Sequence, residues 1–560
     1  MKNLFRLFSV IFSLFAIVSC GGEESSVSDG TDSAEQNVDV SIRAITPEFA
    51  EQIGAIYFSI TDRYGNEIFH QSIRKEDLTN QTELKGIKDV TNATLSVSVF
   101  ARDSEGNNEQ SPRWMGKVRG LNFEKGTTTE VDVMLYSSDV SNVESTMTQS
   151  LSTPRFGHTA TLLADGRVLI AGGFTSCGSN GKCQTTDSVE IIDVESGEIQ
   201  PLTNMTESRA MHTAVALEDG SVIFIGGVKG LNSYLQTADE IFDNFPALPY
   251  SFSQSSAITT IEHYMPPYPK SNMVKNNLGV PVSNIARTLT TPSPIPFATF
   301  QSVLAEKISS SETVVFLVGG LDSEGKPSGK SYKFSLILND SGEVSVSNVT
   351  ELSESSEPML LPALAAKKDS SGQILGVLAL GGRPNDSEYS ASFISESGSE
   401  DKGKDAGYNL LFTNHIALNN ALYVFSGLKN EEGSTKEVNK IFKWNLDDDS
   451  LTVSKDLIQP GDKAITFAEV VYDEKNGRFI AIGGTNASDY YQAVNASTLE
   501  WYQKSPSHKM SDSRIMSKAV IIPVEKSSTE NPLIFITGGI NSLDGTGSGS
   551  ANGKVKVNNL

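Results

Sequence analysis

The chain has few cysteines, few basic residues and no long hydrophobic run. Three cysteines occur in 560 residues, one near the N-terminus and one close pair, so disulfides cannot form the framework of the fold. Lys and Arg number 45 against 68 Asp and Glu, which gives a formal net charge of −23 at pH 7. Nucleic acids and anionic lipids need clustered basic side chains, so neither is expected as a partner. A solvated acidic surface is the simpler explanation, and cationic partners or divalent ions are the alternative.

Motifs of several catalytic classes are also missing. The sequence contains no Gly-x-Ser-x-Gly elbow, no His-Glu-x-x-His helix and no Walker lysine. The glycines of 545–549 precede no helical pattern, and Asp447–Asp449 lack the spaced oxygen ligands of a calcium loop. We therefore predict no catalytic residues, no metal site and no cofactor.

The first residues are predicted to be a cleaved export signal. Lys2 and Arg6 precede an uncharged apolar stretch, Leu7–Val18. This stretch is too short to span the roughly 30 Å hydrocarbon core of a membrane as a helix. The run Ile17-Val18-Ser19-Cys20 resembles a bacterial lipoprotein signal with its lipobox. The resemblance implies removal of 1–19, lipidation of Cys20 and a cell-envelope protein that meets the membrane only through its lipid anchor. The alternative is an ordinary thiol in an uncleaved anchor.

Gly21 follows the lipidation cysteine, where aspartate would be expected for retention in the inner membrane, so we expect the outer membrane. Residues 20–36 are rich in Gly, Ser, Asp and Glu, and they predict a flexible acidic tether. From 37 to 136, short apolar runs alternate with period two, and turn residues such as Tyr64-Gly65-Asn66 separate them. This pattern predicts a small antiparallel β-sandwich that looks like an immunoglobulin- or fibronectin-like spacer.

An internal repeat occupies residues 140–560. An apolar, β-branched run ends at glycine seven times, with a period of about fifty residues that is typical of propeller blades. The seven runs are Val168–Gly173, Val222–Gly227, Val314–Gly320, Val377–Gly382, Leu422–Gly427, Phe479–Gly484 and Ile534–Gly539. A strand that is buried on both faces should be continuously apolar, as these runs are.

The first two units share the most features. Arg155, His158, Asp165-Gly166 and the pair Gly172-Gly173 recur as Arg209, His212, Asp219-Gly220 and the pair Gly226-Gly227. This pattern resembles the kelch repeat of galactose oxidase-like propellers. The resemblance implies an all-β fold with a kelch-like propeller of seven blades, or of six if one poorly matching segment is an insertion. Asp-Gly would supply the tight turn between the first two strands of a blade.

The ends of the repeat region suggest how the ring closes. The run Lys554–Val557 is predicted to be a third strand, after which the chain stops one strand short. Residues 142–150 lie where a fourth strand is expected, so an N-terminal strand should complete the C-terminal blade and cover its edge.

The interval between the second and third units is unusually long. We interpret 245–296 as an insertion, because its many prolines exclude a helix and long loops are often functional. Within it, His263, Tyr264 and Tyr268 are predicted to be exposed aromatic contacts for a glycan or peptide. Decoration without a ligand is the alternative.

Two further residue pairs allow two interpretations each. Cys177 and Cys183 flank a short flexible loop and should form a disulfide in an oxidising compartment, while a metal pair would lack further ligands. The equivalent places of His158 and His212 in two units mark them as structural repeat residues rather than metal ligands. The copper chemistry of galactose oxidase-type members needs a cysteine that is cross-linked to a tyrosine. The only cysteines besides Cys20 are this close pair, so copper chemistry is not expected.

The sequence thus predicts a lipid-anchored envelope protein whose propeller binds a protein or glycan ligand without catalysis. The alternative is a carbohydrate-active enzyme of the sugar isomerase, mutarotase or lyase type, since exported kelch-like proteins include sialic-acid mutarotases. Its chemistry would use Arg155, Arg209 and carboxylates in a central channel. A purely structural spacer is a third option.

Overall fold

The computed structural model describes residues 37–43, 51–77, 82–103, 106–137, 145–177, 183–230, 257–267, 285–292, 294–298, 300–322, 326–383, 389–404, 410, 413–431, 434–454, 466–484, 490–500, 508–510, 514–523, 532–540 and 554–559. The protein is all-β and consists of many small, mainly antiparallel sheets. Within these ranges, no helix is long and apolar enough to cross a membrane. The predicted signal, Cys20 and the tether lie outside the described residues.

The N-terminal strands form two sheets. In chain order they are β1 (Asn37–Arg43), β2 (Ile53–Thr61), β3 (Glu67–Arg74), β4 (Thr82–Lys85), β5 (Val90–Ala101), β6 (Trp114–Phe123), β7 (Thr128–Met134) and β8 (Tyr136–Ser137), with a 3-10 helix at Lys75–Asp77. One sheet has the order β4-β1-β7 and the other β3-β2-β5-β6-β8.

A shared core makes these two sheets a sandwich. Phe58 and Val97 of the five-stranded sheet belong to the same buried cluster as Leu84 and Val133 of the three-stranded sheet. The alternating burial of β5 follows its alternating sequence, as expected for a half-buried strand. The predicted sandwich strands are confirmed, but β1 pairs with β7 in parallel, so the purely antiparallel prediction was wrong. Alternation reports which face a side chain occupies and carries no information on strand direction.

The remaining strands begin at residue 145. They are β9 (Ser145–Ser150), β10 (Thr159–Leu162), β11 (Val168–Ala171), β12 (Phe174–Cys177), β13 (Cys183–Thr185), β14 (Val189–Ile192), β15 (Ile199–Pro201), β16 (Thr213–Ala216), β17 (Val222–Ile225), β18 (Ile261–Met265), β19 (Ile285–Thr288), β20 (Ser302–Lys307), β21 (Glu312–Val318), β22 (Ser331–Leu338), β23 (Val344–Val346), β24 (Thr350–Glu351), β25 (Ala363–Lys368), β26 (Ile374–Leu380), β27 (Tyr389–Ile394), β28 (Ser399–Lys404), β29 (Asn414–Leu418), β30 (Ala421–Phe425), β31 (Leu428–Glu431), β32 (Ser434–Glu437), β33 (Ile441–Asn445), β34 (Leu451–Val453), β35 (Glu469–Asp473), β36 (Arg478–Ile482), β37 (Tyr490–Asn495), β38 (His508–Lys509), β39 (Lys518–Ile522), β40 (Leu533–Thr537) and β41 (Lys554–Asn559).

In the described part of the chain these strands form seven larger sheets, numbered here in chain order. Their strand orders are β10-β11-β14-β15 (sheet 1), β16-β17-β18-β19 (sheet 2), β20-β21-β22-β23 with β24 beside β22 (sheet 3), β25-β26-β27-β28 (sheet 4), β29-β30-β33-β34 (sheet 5), β35-β36-β37-β38 (sheet 6) and β39-β40-β41-β9 (sheet 7). The hairpins β12–β13 and β31–β32 are two-stranded sheets of their own. In chain order they follow the second strands of sheets 1 and 5 and precede the third strands.

Each apolar run forms the second strand of its sheet, as predicted. In sheet 1 the preceding turn contains Gly166 at φ 85°, and its amide donates to the carbonyl of Leu163 at 3.0 Å. This left-handed backbone is the reason for glycine in the Asp-Gly turn.

Consecutive sheets pack face to face through hydrophobic clusters. Leu169 of β11 belongs to a cluster with Phe224 of sheet 2, whereas its neighbour Ile170 belongs to a cluster with Phe535 of sheet 7. Similar clusters join sheets 2 and 3, 3 and 4, 4 and 5, 5 and 6, and 6 and 7. A strand between two sheets sends alternate side chains to opposite neighbours, so both sets must be apolar.

Sheet 7 combines both ends of the repeat region. Strand β9 pairs antiparallel with β41, with Ser150 opposite Lys554 and Ser145 opposite Val557. The predicted completion of the last sheet by an N-terminal strand is therefore confirmed. The first strands of the sheets show the same neighbours as the hydrophobic clusters. Strand β10 of sheet 1 contacts β16 of sheet 2 and β39 of sheet 7.

The sandwich meets the seven-sheet region at the end of β7. Met134 joins the cluster between sheets 7 and 1, and its amide donates to the carbonyl of Glu195 at 2.7 Å. The Glu195 carboxylate also accepts hydrogen bonds from the backbone amide and guanidinium of Arg119, at 2.8 and 2.9 Å.

Candidate functional site

A left-handed residue precedes the first strand of most sheets by two positions. In the described residues these are Gly157, Met211, Phe300, Leu361, Phe467 and Met516, with φ between 48° and 60°. For a side chain as large as Met, Phe or Leu this conformation costs roughly 1–2 kcal/mol.

Backbone hydrogen bonds link these left-handed residues from sheet to sheet. The Met211 amide donates to Gly157 at 2.8 Å, Gly157 donates to Met516 at 3.1 Å, and Met516 donates to Phe467 at 3.2 Å. Their side chains pack on a cluster that takes residues from segments beside all seven sheets. This packing and hydrogen bonding compensates the backbone strain, and sequence analysis missed it because five of the six positions are not glycine.

In sheets 1 and 2 a histidine lies between the left-handed residue and the first strand. His158 Nε2 lies 2.9 Å from Thr537 Oγ1 of sheet 7, and His212 Nε2 lies 3.0 Å from Thr159 Oγ1 of sheet 1. Both Nδ1 atoms are buried without a hydrogen-bond partner among the described residues. Burial lowers the pKa of both imidazoles well below the usual value, with a further contribution from nearby positive charges. Both are neutral groups that join consecutive sheets, which supports their structural interpretation.

Charged and polar groups gather where the first strands of sheets 5, 6 and 7 begin. Lys518 Nζ lies 2.8 Å from Glu469 Oε2, and Asn414 Nδ2 donates to the Ala468 carbonyl at 2.9 Å and approaches Glu469 Oε2 at 3.4 Å. His415 follows Asn414 on β29. We call Asn414, His415, Glu469 and Lys518 the Lys518 cluster.

The Lys518 cluster is partly accessible. The Lys518 side chain is 36% exposed and that of Glu469 is 13% exposed. Desolvation lowers the pKa of His415 to about 4, and the charge of Lys518 acts in the same direction. The same charge contributes to the lowered pKa of His158 and His212. Lys518 therefore acts electrostatically on histidines of sheets 1, 2 and 5. Sequence analysis missed the cluster because its members lie in three different units.

The two repeat arginines are buried in ion pairs. Arg155 donates to Glu190 at 2.7 Å and to the Gly172 carbonyl at 2.8 Å, and both side chains of the ion pair are at most 1% exposed. The Glu190 carboxylate also accepts the Ser152 amide at 2.6 Å, which ties the segment before sheet 1 to its third strand.

Arg209 repeats these contacts with Glu262 at 3.4 Å and the Gly226 carbonyl at 2.9 Å. Arg514 makes the matching bond to the Gly538 carbonyl at 2.9 Å, so the last unit contains an equivalent arginine. The expectation that Arg155 and Arg209 line an open channel was wrong, because both are fully buried. Because water is excluded from a buried Arg–Glu pair, its hydrogen bonds hold the segment before the first strand firmly to the third strand.

The glycine pairs lie where backbones of consecutive sheets approach. A Cβ on Gly172 would lie 2.3 Å from the Arg209 carbonyl oxygen, and the Gly173 amide donates to the same oxygen at 2.8 Å. Gly226 is less crowded, since its nearest neighbour would be Phe297 at 3.2 Å. Gly227 again abuts the Ala210 carbonyl, at 2.6 Å. Neighbouring backbone therefore crowds the end of the second strand at Gly172 and Gly227.

The predicted exposed contacts at 263–264 were wrong. His263 and Tyr264 lie on β18, the third strand of sheet 2, and are 4% and 0% exposed. The Tyr264 hydroxyl donates to the Thr203 carbonyl at 2.6 Å, so its polar end is satisfied internally. Part of 245–296 therefore forms β18 and β19 of sheet 2 and is not an insertion. Tyr268 lies outside the described residues.

Cys177 and Cys183 are opposite each other in the β12–β13 hairpin. Direct cross-strand neighbours have the short Cα separation that a disulfide requires. The disulfide itself stays a prediction. Within the described ranges, no group of three or more His, Cys, Asp or Glu is placed to hold a metal ion.

No protein-family model matches this sequence, and no curated protein matches it significantly.

Proposed function

We propose that sheets 1–7 are the blades of a closed, kelch-like β-propeller. The observation that supports it most strongly is the order of the hydrophobic clusters, which join each sheet to the next and sheet 7 to sheet 1. Strand β9 also joins the two ends of the repeat within one sheet, which is a common way to lock a ring. Small-angle scattering of residues 21–560 would test this proposal, because an open array would give a larger radius of gyration than a closed ring.

We propose that the propeller belongs to a lipid-anchored binding protein of the cell envelope, whose ligand is a glycan or a protein. The Lys518 cluster carries this proposal. A partly buried ion pair such as Lys518–Glu469 adds little to stability compared with well-packed apolar side chains. Because the pair is partly accessible, it offers a hydrogen-bond donor and an acceptor to a ligand.

The binding test uses residues 21–560, which lack the signal and the lipidation cysteine. A glycan array and a pull-down from cell-envelope extract are run on this protein, on Lys518→Met and on Glu469→Gln. The matched control is Lys229→Met, which removes an exposed lysine from a looser ion pair, 3.7 Å from Glu207. Binding that is lost in the first two variants and kept in the control supports the proposal. Absence of any ligand would favour a structural spacer.

The anchor is tested separately on the full chain. Cys20→Ser should move the protein from the membrane fraction to the soluble envelope fraction, because stable attachment needs acyl chains on Cys20. Metabolic labelling with a clickable fatty acid should mark the native protein and not this variant. Equal labelling of both proteins would contradict lipidation at Cys20.

The carbohydrate-active enzyme is a second candidate, because the Lys518 cluster combines a carboxylate, an ammonium group and a neutral imidazole. Such a set could hold or move a proton at a sugar ring oxygen or at an anomeric hydroxyl. Mutarotation and isomerisation of reducing sugars, followed by NMR, test this candidate. Enzymatic acceleration that is abolished by Glu469→Gln supports the enzyme, and rates equal to the uncatalysed reaction exclude it for the sugars tested.

A further inference from the structure

A cleft opens at one end of the β-sandwich, away from the contact with the seven sheets. Its volume is about 480 Å³, within the usual range for small-ligand sites. Three segments line it, at the β2–β3 turn, before and at the start of β5, and at the β6–β7 turn. The lining residues include Asp62, Arg63, Tyr64, Thr91, Glu124 and Lys125.

The position of the cleft follows from strand register. Strand β7 begins at Thr128, beside the cleft turn, and ends at Met134, which packs on sheets 7 and 1. Six residues of extended chain separate these ends by about 20 Å. Strand β1 is parallel to β7, with Asn37 opposite Thr128, so the chain enters the sandwich at the cleft end. The cleft and the Lys518 cluster are therefore separate places.

Whereas Phe123 is buried, Tyr64 is the exposed aromatic side chain of the cleft. It is 73% exposed, whereas most large apolar and aromatic side chains of the described residues are buried. The Arg63 guanidinium carbon lies 4.7 Å from the Tyr64 ring centroid, and Arg63 donates to the Tyr64 hydroxyl at 2.5 Å. This contact restrains the ring and leaves its opposite face available as a flat apolar platform.

The turn that carries Tyr64 is held by its own hydrogen bonds. The Asp62 carboxylate accepts the amides of Tyr64 and Asn66 at 2.8 and 2.9 Å and the Asn66 side chain at 3.0 Å. Gly65 adopts φ 84°, which allows the tight reversal. The platform is thus presented by an ordered turn, which reduces the entropy lost when a ligand binds.

The chemistry of the cleft fits a neutral sugar. A pyranose ring has an apolar C–H face that stacks on an aromatic ring and a rim of hydroxyls that both donate and accept hydrogen bonds. Glu124 can accept from hydroxyls, while Lys125 and Thr91 can donate to them. Carboxylates and cations are mixed here, which disfavours a strongly charged ligand.

We propose that this cleft is a carbohydrate-binding site for neutral oligosaccharides, with Tyr64 as its stacking platform. The site is independent of the binding function proposed for the seven sheets. It would give the protein a second point of contact on the side where the predicted tether enters.

The experiment measures binding of neutral tri- to hexasaccharides of glucose, mannose, galactose, xylose and N-acetylglucosamine to residues 21–560. Isothermal titration calorimetry compares the native sequence with Tyr64→Ala, Tyr64→Phe and Lys518→Met. The control Leu375→Ala removes another exposed apolar side chain, 49% exposed and located on sheet 4. Thermal unfolding checks that every variant is folded, which is expected because Tyr64 lies on an exposed turn.

We expect at least one of these sugars to bind, with affinity about tenfold lower in Tyr64→Ala. Tyr64→Phe should stay within about twofold, because the ring face is retained. Leu375→Ala should bind as the native sequence does, and Lys518→Met reports on the separate site proposed for the seven sheets. The proposal is overturned if no sugar of the panel binds at millimolar concentration or if Tyr64→Ala binds normally. Loss of the same binding in Lys518→Met alone would assign it to the seven sheets instead.

Discussion

The amide of Gly539 donates a hydrogen bond to the carbonyl of Arg155 at 2.8 Å, joining the last sheet to the first. The same bond connects Gly173 to Arg209, Gly320 to Met359 and Gly484 to Arg514 at 2.8 to 3.2 Å. These four glycine pairs therefore couple the end of a second strand to the segment that enters the following sheet. Contact between two backbones leaves no room for a side chain, which is the physical basis of this part of the repeat.

Alanine at Gly538 should destabilise the protein. The Cβ of Gly538→Ala would lie 2.4 Å from the Arg155 carbonyl oxygen and 2.5 Å from His158 Cε1, at a backbone φ of 61°. The left-handed conformation and the overlap together should cost about 3 kcal/mol. Thermal unfolding should therefore show a transition several degrees below that of the native sequence.

The control for this substitution is Gly398→Ala. An added Cβ at Gly398 meets nothing within 4 Å, and the backbone there is not left-handed. Its transition should match the native one. Equal transitions for both alanine variants would mean that the contact between sheets 7 and 1 is not close in solution.

Much of the fold could be predicted from local sequence. The seven apolar runs, the Asp-Gly turns and the terminal strand at Lys554–Val557 are local signals, and each forms the predicted element. The prolines between Phe245 and Pro296 favoured the wrong prediction of an insertion, although the strand Ile261–Met265 lies among them. Burial of His263 and Tyr264 follows from the pairing of that strand with β17, which local sequence does not specify.

The candidate site could be predicted only in part. His158 and His212 stand out because they repeat, whereas Glu190 and Glu262 follow their arginines at different distances and gave no signal. The Lys518 cluster comes from three sheets whose first strands differ in sequence. Contacts between units depend on the arrangement of the sheets, and a single sequence contains no direct record of it.

Loss of the guanidinium at Arg155 should be strongly destabilising. Arg155→Met leaves the buried Glu190 carboxylate without its cation, and breaking such a pair costs about 3–5 kcal/mol. The double variant Arg155→Met/Glu190→Met should be more stable than Arg155→Met, since it leaves no unpaired charge. Urea unfolding of the four proteins of this cycle measures the coupling.

Arg119→Met is the matched control for this cycle. Arg119 also pairs with a glutamate, Glu195, at 2.9 Å, but its side chain is 53% exposed. Removing a solvated pair of this kind should change the free energy of unfolding by no more than about 1 kcal/mol. Equal losses in Arg155→Met and Arg119→Met would show that burial does not set the strength of the Arg155 pair.

The cysteine hairpin should be closed by a disulfide in the exported protein. Cys177 and Cys183 are cross-strand neighbours, so residues 21–560 purified from an oxidising compartment should contain no free thiol. Alkylation under denaturing conditions and mass spectrometry should find label only after reduction. Closing so short a loop contributes about 2 kcal/mol, so Cys183→Ser should lower stability without preventing folding. Two alkylated cysteines in the unreduced protein would contradict the prediction.

The neutral histidines make stability depend on pH. Burial lowers the pKa of His158, His212 and His415 in the folded protein, to about 4 for His415. In the unfolded chain each has a pKa near 6.5, so between these values the unfolded state binds more protons. Their contribution to stability is therefore complete above about pH 6.5 and decreases as the pH falls towards the folded-state pKa.

Replacing His415 should weaken this pH dependence. The lowered pKa of His415 is equivalent to at most about 3 kcal/mol between neutral pH and pH 4, and His415→Gln removes that part because glutamine does not titrate. The urea midpoint of this variant, measured at intervals from pH 7.5 to 5, should fall less steeply than that of the native sequence. If His415→Gln keeps the native slope, His415 is already solvated in the folded protein, and the Lys518 cluster is more open to water than its burial indicates.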